Sequence, residues 1–176
     1  MATLGHVAIG VVAARWRASR PDAPPLALSM LGLSALSLLP DVDVVAFALG
    51  IPYSHPYGHR GMTHSLLFAV LVGLLVALGL RLRRRPVLLD ALLATLVVAS
   101  HGVLDAMTTG GLGIEFFWPF DTHRYFLPWR FLPVAPIGAR MVSARGLSVL
   151  VTEAVLFLPA WAYAFWPRPA PRPSME

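Results

Sequence analysis

The sequence predicts an all-α fold, a polytopic bundle of about five transmembrane helices, and three observations lead to it. Hydrophobic residues make up 57% of the 176 residues and charged residues only 13%, and the mean hydropathy is +0.68, unlike a soluble domain. Five apolar segments follow one another along the chain. Arginines gather in the connections between these segments, as they do on the cytoplasmic side of membrane proteins.

In chain order, the apolar segments cover residues 3–14, 26–51, 62–82, 86–107 and 146–166. About 20 apolar residues cross a bilayer as a helix, so the last four are long enough and the first is short. We do not expect the first to be a cleaved signal, because its basic residues follow the apolar run instead of preceding it. We expect one membrane domain over 1–166 and a disordered Pro/Arg-rich tail over 167–176.

The charge pattern predicts the orientation. All 14 basic residues are arginines, and we attribute the net charge of +5 to membrane topology and not to nucleic-acid binding. Nine lie on one side of the expected bundle: Arg15, Arg17, Arg20, Arg81, Arg83, Arg84, Arg85, Arg168 and Arg172. Five lie on the other: Arg60, Arg124, Arg130, Arg140 and Arg145. The positive-inside rule makes the first side cytoplasmic. There is no cysteine, so thiolate metal ligands are excluded.

Ionisable residues in and beside the apolar segments are the main functional signal. Such groups are costly in a bilayer and persist when they face a protein interior, form pairs or bind an ion. With this threading they collect toward the non-cytoplasmic side: His6, His59, His64, His101, Asp105 and Glu153, with Asp41 and Asp43 deeper. Imidazoles combined with carboxylates are the usual ligands of zinc, manganese or iron. The sequence therefore predicts a membrane protein with a metal site.

Two spacings are informative. His101 and Asp105 lie four apart, so on a helix they share one face and can reach one ion or two adjacent ions. A buried hydrogen bond between them is the alternative. Asp41 and Asp43 lie two apart beside Pro40 and diverge on a regular helix. We expect one to bind metal and the other to orient a histidine or cap the next helix, with proton relay or cation transport as the functional alternative.

The block from Gly58 to Ser65 combines several polar roles. Thr63 is the predicted N-cap of the third helix, which leaves His64 in its first turn as the preferred ligand. Arg60 at this helix start would hold a phosphate or carboxylate with two parallel hydrogen bonds. His59 is a second metal ligand, a general acid or a residue that hydrogen-bonds to a ligand. An exposed loop that only caps the helix is the alternative.

Three features are weaker by themselves. His6 joins the set only because it falls in the same leaflet, and Glu153 is equally a metal ligand, a general base or a carboxylate reaching the interface. The connection 108–144, rich in proline, glycine and aromatic residues, lies on the same side. We expect it to form an interfacial cap over the site, the alternative being a loop that only packs.

Five blocks of sequence carry a family resemblance: Gly5-His6, Leu38-Leu39-Pro40-Asp41-Val42-Asp43, Gly58-His59-Arg60-Gly61-Met62-Thr63-His64-Ser65, Ser100-His101 to Asp105, and Trp118-Pro119. From residue 5 to about 120 the chain resembles, in matching order, the YdjM-like family of bacterial and archaeal inner-membrane proteins. The resemblance implies a metal-dependent hydrolase of the cytoplasmic membrane.

The order His, Asp, His, His-x-x-x-Asp and a late Glu is also distantly similar to the zinc-dependent phospholipase C and P1-type nuclease group, all-α enzymes that hydrolyse phosphoesters. That similarity implies five metal ligands, His6, Asp41, His64, His101 and Asp105, with Asp105 as a bridge. This chain lacks the group's N-terminal Trp ligand and a second His-x-x-x-Glu pair near Glu153. We therefore expect one or two divalent ions, zinc first, with manganese or iron as alternatives.

The expected function is hydrolysis of a phosphoester in a lipid or other amphiphilic substrate by a metal-activated water. Arg60 would steady the developing charge, and Asp43 or His59 would act as base or acid. A proton- or cation-conducting protein that uses the same residues is the alternative. A structural partner protein whose metal serves folding is the third hypothesis.

Overall fold

The computed structural model describes residues 3–167, in which seven α-helices and three 3₁₀ segments alternate with loops. The helices are α1 (Thr3–Arg17), α2 (Leu26–Leu38), α3 (Val45–Ala48), α4 (Leu66–Leu82), α5 (Leu88–Ala106), α6 (Ala144–Leu156) and α7 (Leu158–Phe165). The 3₁₀ segments are Leu39–Val44, Met62–His64 and Gly138–Val142. Only isolated β-bridges and no strand occur within 3–167, so the predicted all-α class is confirmed. Residues 168–176, nearly all of the predicted tail, lie outside the described part.

The second apolar segment changes its helical geometry at Pro40. A proline has no N–H and its ring clashes with the preceding turn, so the regular helix α2 ends at Leu38 and the chain tightens into a 3₁₀ segment. That segment carries Asp41 and Asp43 inward before α3 resumes the helix. Asp43 is buried and Asp41 is partly buried. The break thus places two carboxylates inside an otherwise apolar run.

Glycines bring pairs of helices into direct backbone contact. A Cβ at Gly10 of α1 would lie 2.6 Å from the Cα of Ser34 on α2, and a Cβ at Gly73 of α4 would collide with Thr95 on α5. Small residues at such crossings are typical of membrane helix pairs, because close packing replaces the hydrophobic effect there. Helices α1 and α2 therefore form one tight pair, and α4 and α5 form another.

Helices α4 and α5 show which faces are buried. On α5 the buried residues recur every three or four positions and form one face: Ala94, Val97, Val98, His101, Gly102, Asp105 and Ala106. On α4 large leucines remain on the outside, with Leu75 68% and Leu82 76% exposed. An apolar outer surface of this extent suits contact with lipid.

Fewer helices than the five predicted are long enough by themselves to cross a membrane. Two runs within residues 3–167 are long and apolar enough to cross, Leu26–Ala48 and Leu88–Ala106. Helices α6 and α7 add a third crossing if they count as one span bent by 59°, with Pro159 at the start of α7 breaking the ladder. At 15 and 17 residues, α1 and α4 are shorter than a usual span. A helical membrane protein is supported, and the count of five stays a prediction.

The segment between α5 and α6 folds back onto the helices. Backbone hydrogen bonds attach it at several points, among them Leu127 N–H to the Ala106 carbonyl and Glu115 N–H to the Arg60 carbonyl. Its apolar anchors are fully buried, whereas large aromatic side chains point outward. The anchors are Ile114 and Leu132, and the most exposed aromatics are Phe120, Trp129 and Phe131. The loop therefore covers the end of the bundle that carries the polar cluster.

Candidate metal centre

Four side chains from three separate elements meet at this end of the bundle. Asp41 comes from the 3₁₀ segment after α2, His64 from the turn before α4, and His101 and Asp105 from one face of α5. One ligand atom from each lies within 4.8 Å of all the others. Two imidazoles and two carboxylates from distant parts of the sequence thus converge on a volume the size of one cation.

Both histidines of this group have Nδ1 held by the protein. Nδ1 of His64 lies 3.1 Å from Oδ2 of Asp43, and Nδ1 of His101 lies 2.7 Å from the Ser37 carbonyl oxygen. Metal-binding histidines are oriented in this way, with the second ring nitrogen bonded to a carboxylate or carbonyl. Their Nε2 atoms are buried and have no hydrogen-bond partner among the described residues. Orphaned buried nitrogens are costly, so this donor set fits a divalent cation.

The carboxylates stand at distances that leave room for an ion. Oδ1 of Asp41 lies 3.3 Å from Nε2 of His101 and 3.7 Å from Nε2 of His64. Oδ2 of Asp105 lies 3.7 Å from Nε2 of His64 and 4.0 Å from Nε2 of His101. Ligands bound at about 2.0–2.2 Å to one tetrahedral ion are themselves roughly 3–4 Å apart. The four groups therefore need little movement to share a cation.

His6 lies on the far side of Asp105. Its ring stacks on that of His101, with centroids 3.6 Å apart and planes at 6°, and both of its nitrogens are buried without a hydrogen-bond partner among residues 3–167. Nε2 of His6 is 3.6 Å from Oδ1 of Asp105, the oxygen that faces away from the four-residue group. Asp105 thus presents one oxygen to each side.

Asp43 lies next to the cluster, and four polar groups surround its carboxylate. Besides His64, these are Nδ1 of His59 at 2.6 Å, the backbone N–H of Arg60 at 3.0 Å and the hydroxyl of Thr63 at 2.7 Å. Asp43, His59 and His64 also lie close enough to suggest a second ion. Because donors already surround both oxygens of Asp43, we interpret this group as a hydrogen-bonding support for His64.

The predicted cap of α4 is wrong by two residues. Ser65 has the extended backbone of a cap, and its hydroxyl accepts the Phe68 N–H at 3.1 Å. The Thr63 hydroxyl instead donates to Asp43. His64 consequently precedes the helix and sits in the 3₁₀ turn.

Arg60 is buried and largely occupied by the protein itself. Its Nε lies 3.0 Å from Oδ2 of Asp105, and its Nη1 donates to the hydroxyl of Thr108 and to the carbonyl of Gly110. Its φ of 65° is unusual for a residue with a side chain, and the bonds to its backbone N–H and carbonyl hold it there. The sequence predicts that Arg60 holds an anion of the substrate; in the structure its Nε faces Asp105 and its Nη1 faces Thr108 and Gly110.

Glu153 lies beside the cluster, at the start of α1. It is fully buried, and its Oε2 accepts the backbone N–H of Gly5 at 3.1 Å. Gly5 adjoins His6, so this bond fixes the helix turn that carries the histidine. Glu153 is not among the four side chains that converge on one point.

Negative charge surrounds His64. Asp43 lies 3.1 Å from its Nδ1, and Asp41 and Asp105 each lie 3.7 Å from its Nε2. Carboxylates this close together repel one another unless a positive charge lies between them. A divalent ion would supply that charge.

An ion pair in the covering loop was not predicted from the sequence. Nη2 of Arg124 lies 2.9 Å from Oε1 of Glu115, and the same guanidinium donates to the carbonyls of His59 and Tyr53. Burial raises the pKa of Glu115 although Arg124 opposes the shift. These bonds hold the loop that carries His59. No spacing in the sequence relates Arg124 to that loop, and Ser37 was missed because it acts through its backbone.

A cavity of about 780 Å³ opens beside the cluster. Its lining includes Asp41, His59 and Arg60, which are buried or half-buried, and the more exposed segment that leads into α6. The volume is in the range of small-molecule binding sites. Asp41 is the partly exposed carboxylate of the four-residue group, and it lines this cavity.

Comparisons with known proteins place the chain among inner membrane proteins. A family model described as YdjM inner membrane protein matches residues 1–169. The chain belongs to the YdjM inner membrane protein family. Inner membrane protein YbcI of Escherichia coli (strain K12) is 42% identical to this YdjM family member over 120 residues, which cover 67% of this chain and 69% of the relative. No solved structure matches the chain. The resemblance drawn from the sequence motifs is confirmed.

Proposed function

We propose that this YdjM family member is a membrane-bound metal-dependent hydrolase acting on a phosphoester of a lipid or other amphiphilic substrate. The observation that carries the proposal is the convergence of two orphaned Nε2 atoms, from His64 and His101, with Asp41 and Asp105, beside a cavity that Asp41 lines. A divalent ion held by these four residues, zinc in the first instance, would polarise the ester and acidify a bound water.

His59 is the residue best placed to move a proton. Asp43 accepts from Nδ1 of His59, which fixes the ring and leaves Nε2 as the nitrogen available to a substrate. The residue lines the cavity. Asp43 therefore acts through His59 and His64, orienting one for proton transfer and the other for metal binding.

Arg60 and Glu153 have positioning roles in this proposal. Arg60 holds Asp105 through Nε and lines the cavity, where Nη2 has no partner among the described residues and is left for a developing negative charge. Glu153 holds the start of α1 and with it His6. His6 and the outward oxygen of Asp105 would bind a second ion only if water or substrate completed its coordination.

We further propose that the site faces the non-cytoplasmic side and that all five apolar segments enter the membrane. The nine-to-five distribution of arginines supports this orientation. The exposed aromatic side chains of the covering loop, Phe120, Trp129 and Phe131, suit a position at the lipid headgroups. A site at that depth favours a substrate with a polar head and an apolar chain.

Metal analysis of the detergent-purified protein tests the centre. We expect bound zinc in the wild type and its loss in His64→Ala and in His101→Ala, each of which deletes a cluster nitrogen. The matched control is His123→Ala, which removes an exposed loop histidine outside the cluster. Equal metal content in all four proteins would reject the centre.

Activity assays of the zinc-loaded protein test the reaction. We expect hydrolysis of a lipid phosphoester, abolished in His64→Ala and retained in His123→Ala. Cleavage confined to soluble phosphoesters would contradict the amphiphilic substrate. Transport of the metal across proteoliposome membranes without hydrolysis would favour the conducting alternative.

A further inference from the structure

The outer wall of the cavity contains two arginines that the proposed reaction does not use. The wall is formed by residues 134–138 and by Arg140, Met141, Ser143 and Arg145. Asp41, which belongs to the four-residue cluster, and His59 line the same cavity. A ligand bound in this cavity beside the cluster can therefore also meet these arginines.

Arg140 and Arg145 are free of the partners that other arginines have. Arg17 pairs with Asp22 and Asp90, Arg60 with Asp105, and Arg124 with Glu115. In contrast, the guanidinium groups of Arg140 and Arg145 are exposed and form no ion pair or hydrogen bond with any described residue. The sequence also has no acidic residue between Asp121 and Glu153. Two uncompensated positive charges consequently stand at the cavity opening.

The backbone fixes these two arginines relative to each other. Ser143 caps α6 by accepting the Gly146 N–H at 3.2 Å, and a Cβ at Gly146 would run into the carbonyl of Met141. Only glycine lets the 3₁₀ segment Gly138–Val142 pack this closely on the first turn of α6. Arg140 and Arg145 therefore project from a rigid corner and not from an open loop.

We propose that Arg140 and Arg145 form a subsite that binds a phosphate group of the substrate's head. Guanidinium groups bind phosphate through paired, charge-assisted hydrogen bonds. The same cavity offers an apolar wall to the adjoining chain, formed by Val44, Val134, Ile137 and Met141. The subsite deepens the proposed function on which it rests, because it predicts that phosphate-bearing amphiphiles are preferred over neutral ones.

A binding measurement separates this subsite from catalysis. The probes are inorganic phosphate, a short-chain phosphatidic acid and the matching uncharged diacylglycerol, each titrated by calorimetry into the zinc-loaded full-length protein in detergent. The test variant is Arg140→Gln with Arg145→Gln. The control is Arg130→Gln, which removes an exposed arginine of the same loop that does not line the cavity.

We expect the double variant to lose roughly tenfold or more in affinity for phosphatidic acid, since charge-assisted bonds to phosphate are lost, while Arg130→Gln keeps wild-type affinity. A parallel loss for inorganic phosphate would show that the anion alone is recognised. A loss of affinity for phosphatidic acid alone would show that the site recognises the phosphate head and the acyl chain together. Diacylglycerol should bind all variants equally.

Equal phosphatidic acid affinity in the double variant and in Arg130→Gln would overturn the subsite, as would a wild type that binds neither phosphate probe. Zinc content measured on the same samples should be unchanged, so loss of the metal centre and loss of the subsite are distinguishable. Arg140→Lys with Arg145→Lys should retain part of the affinity, and it provides the same comparison if the glutamine pair does not fold.

Discussion

The carboxylate of Asp43 is bonded to four neighbours that belong to the same short stretch of chain, from His59 to His64. The sequence predicted that one of the two aspartates would bind metal and one would orient a histidine, but it left open which. The choice depends on how the 3₁₀ segment rotates each side chain, and no residue pattern reveals that rotation. The structure puts Asp41 with the orphaned nitrogens and Asp43 behind them.

Replacing Asp43 by asparagine tests its supporting role. In Asp43→Asn the amide cannot accept from all four groups, so His64 loses its orienting carboxylate. We expect metal affinity to fall by about 10–100-fold, the usual effect of changing a group behind a ligand. Competition with a zinc chelator measures the change. Asp121→Asn, at a half-buried loop position where the carboxylate accepts from the Tyr125 hydroxyl, is the control. Unchanged affinity in Asp43→Asn would refute the role.

Proton competition at His64 predicts the pH dependence of metal binding. Metal binds the neutral imidazole, so a proton on His64, which the three nearby carboxylates favour, competes with the metal. Metal affinity should therefore rise with pH, by up to about tenfold per pH unit. Zinc titrations between pH 6.5 and 8.5 measure the slope. A flat profile would contradict the assignment.

Helices were the most predictable elements. The apolar segments 26–51 and 86–107 correspond to helical runs Leu26–Ala48 and Leu88–Ala106, because uninterrupted apolar residues leave few alternatives inside a bilayer. Their ends and breaks were less predictable. The start of α4 was misplaced because Thr63 and Ser65 are both able to cap, and their residue types do not show which of them has the extended backbone of a cap. The bend between α6 and α7 follows from Pro159, which the sequence analysis passed over.

Close packing of α1 against α2 is testable at Gly10. A side chain there would meet the backbone of Ser34, so we expect Gly10→Leu to destabilise the bundle by about 1–3 kcal/mol or more, the usual cost of overpacking. Gly32→Leu on α2 is the matched control, because a Cβ at Gly32 meets nothing within 4 Å. Thermal unfolding in detergent compares the two. Equal melting temperatures would show that the crossing is looser than described.

At the scale of the whole molecule, polar groups are concentrated at two ends. The metal centre and its covering loop occupy one end. At the other, buried Arg17 pairs with Asp90 and Asp22 and joins α1 to the start of α5. The sequence predicted the first concentration from the threading of apolar segments. It did not predict the second, because the ion pair links residues 73 positions apart.

The absence of cysteine allows a direct test of orientation. Single cysteines introduced as Thr122→Cys in the covering loop and as Ser19→Cys after α1 should lie on opposite sides of the membrane. A membrane-impermeant maleimide added to intact cells should label Thr122→Cys and spare Ser19→Cys until the cells are opened. Arg83→Cys, after α4, should behave like Ser19→Cys. Labelling in the reverse order would invert the topology.

The 3₁₀ segment that begins at Leu39 has a consequence for how the site tolerates mutation. In that register the carbonyl of Ser37 would pair with residue 40, but a proline has no N–H to offer, so the carbonyl is left to His101. An acceptor that belongs to the main chain survives any side-chain replacement at position 37. Mutation is therefore more harmful to this contact at Pro40 than at Ser37. Any other residue at position 40 has a backbone N–H, which would be a second donor to the Ser37 carbonyl beside His101.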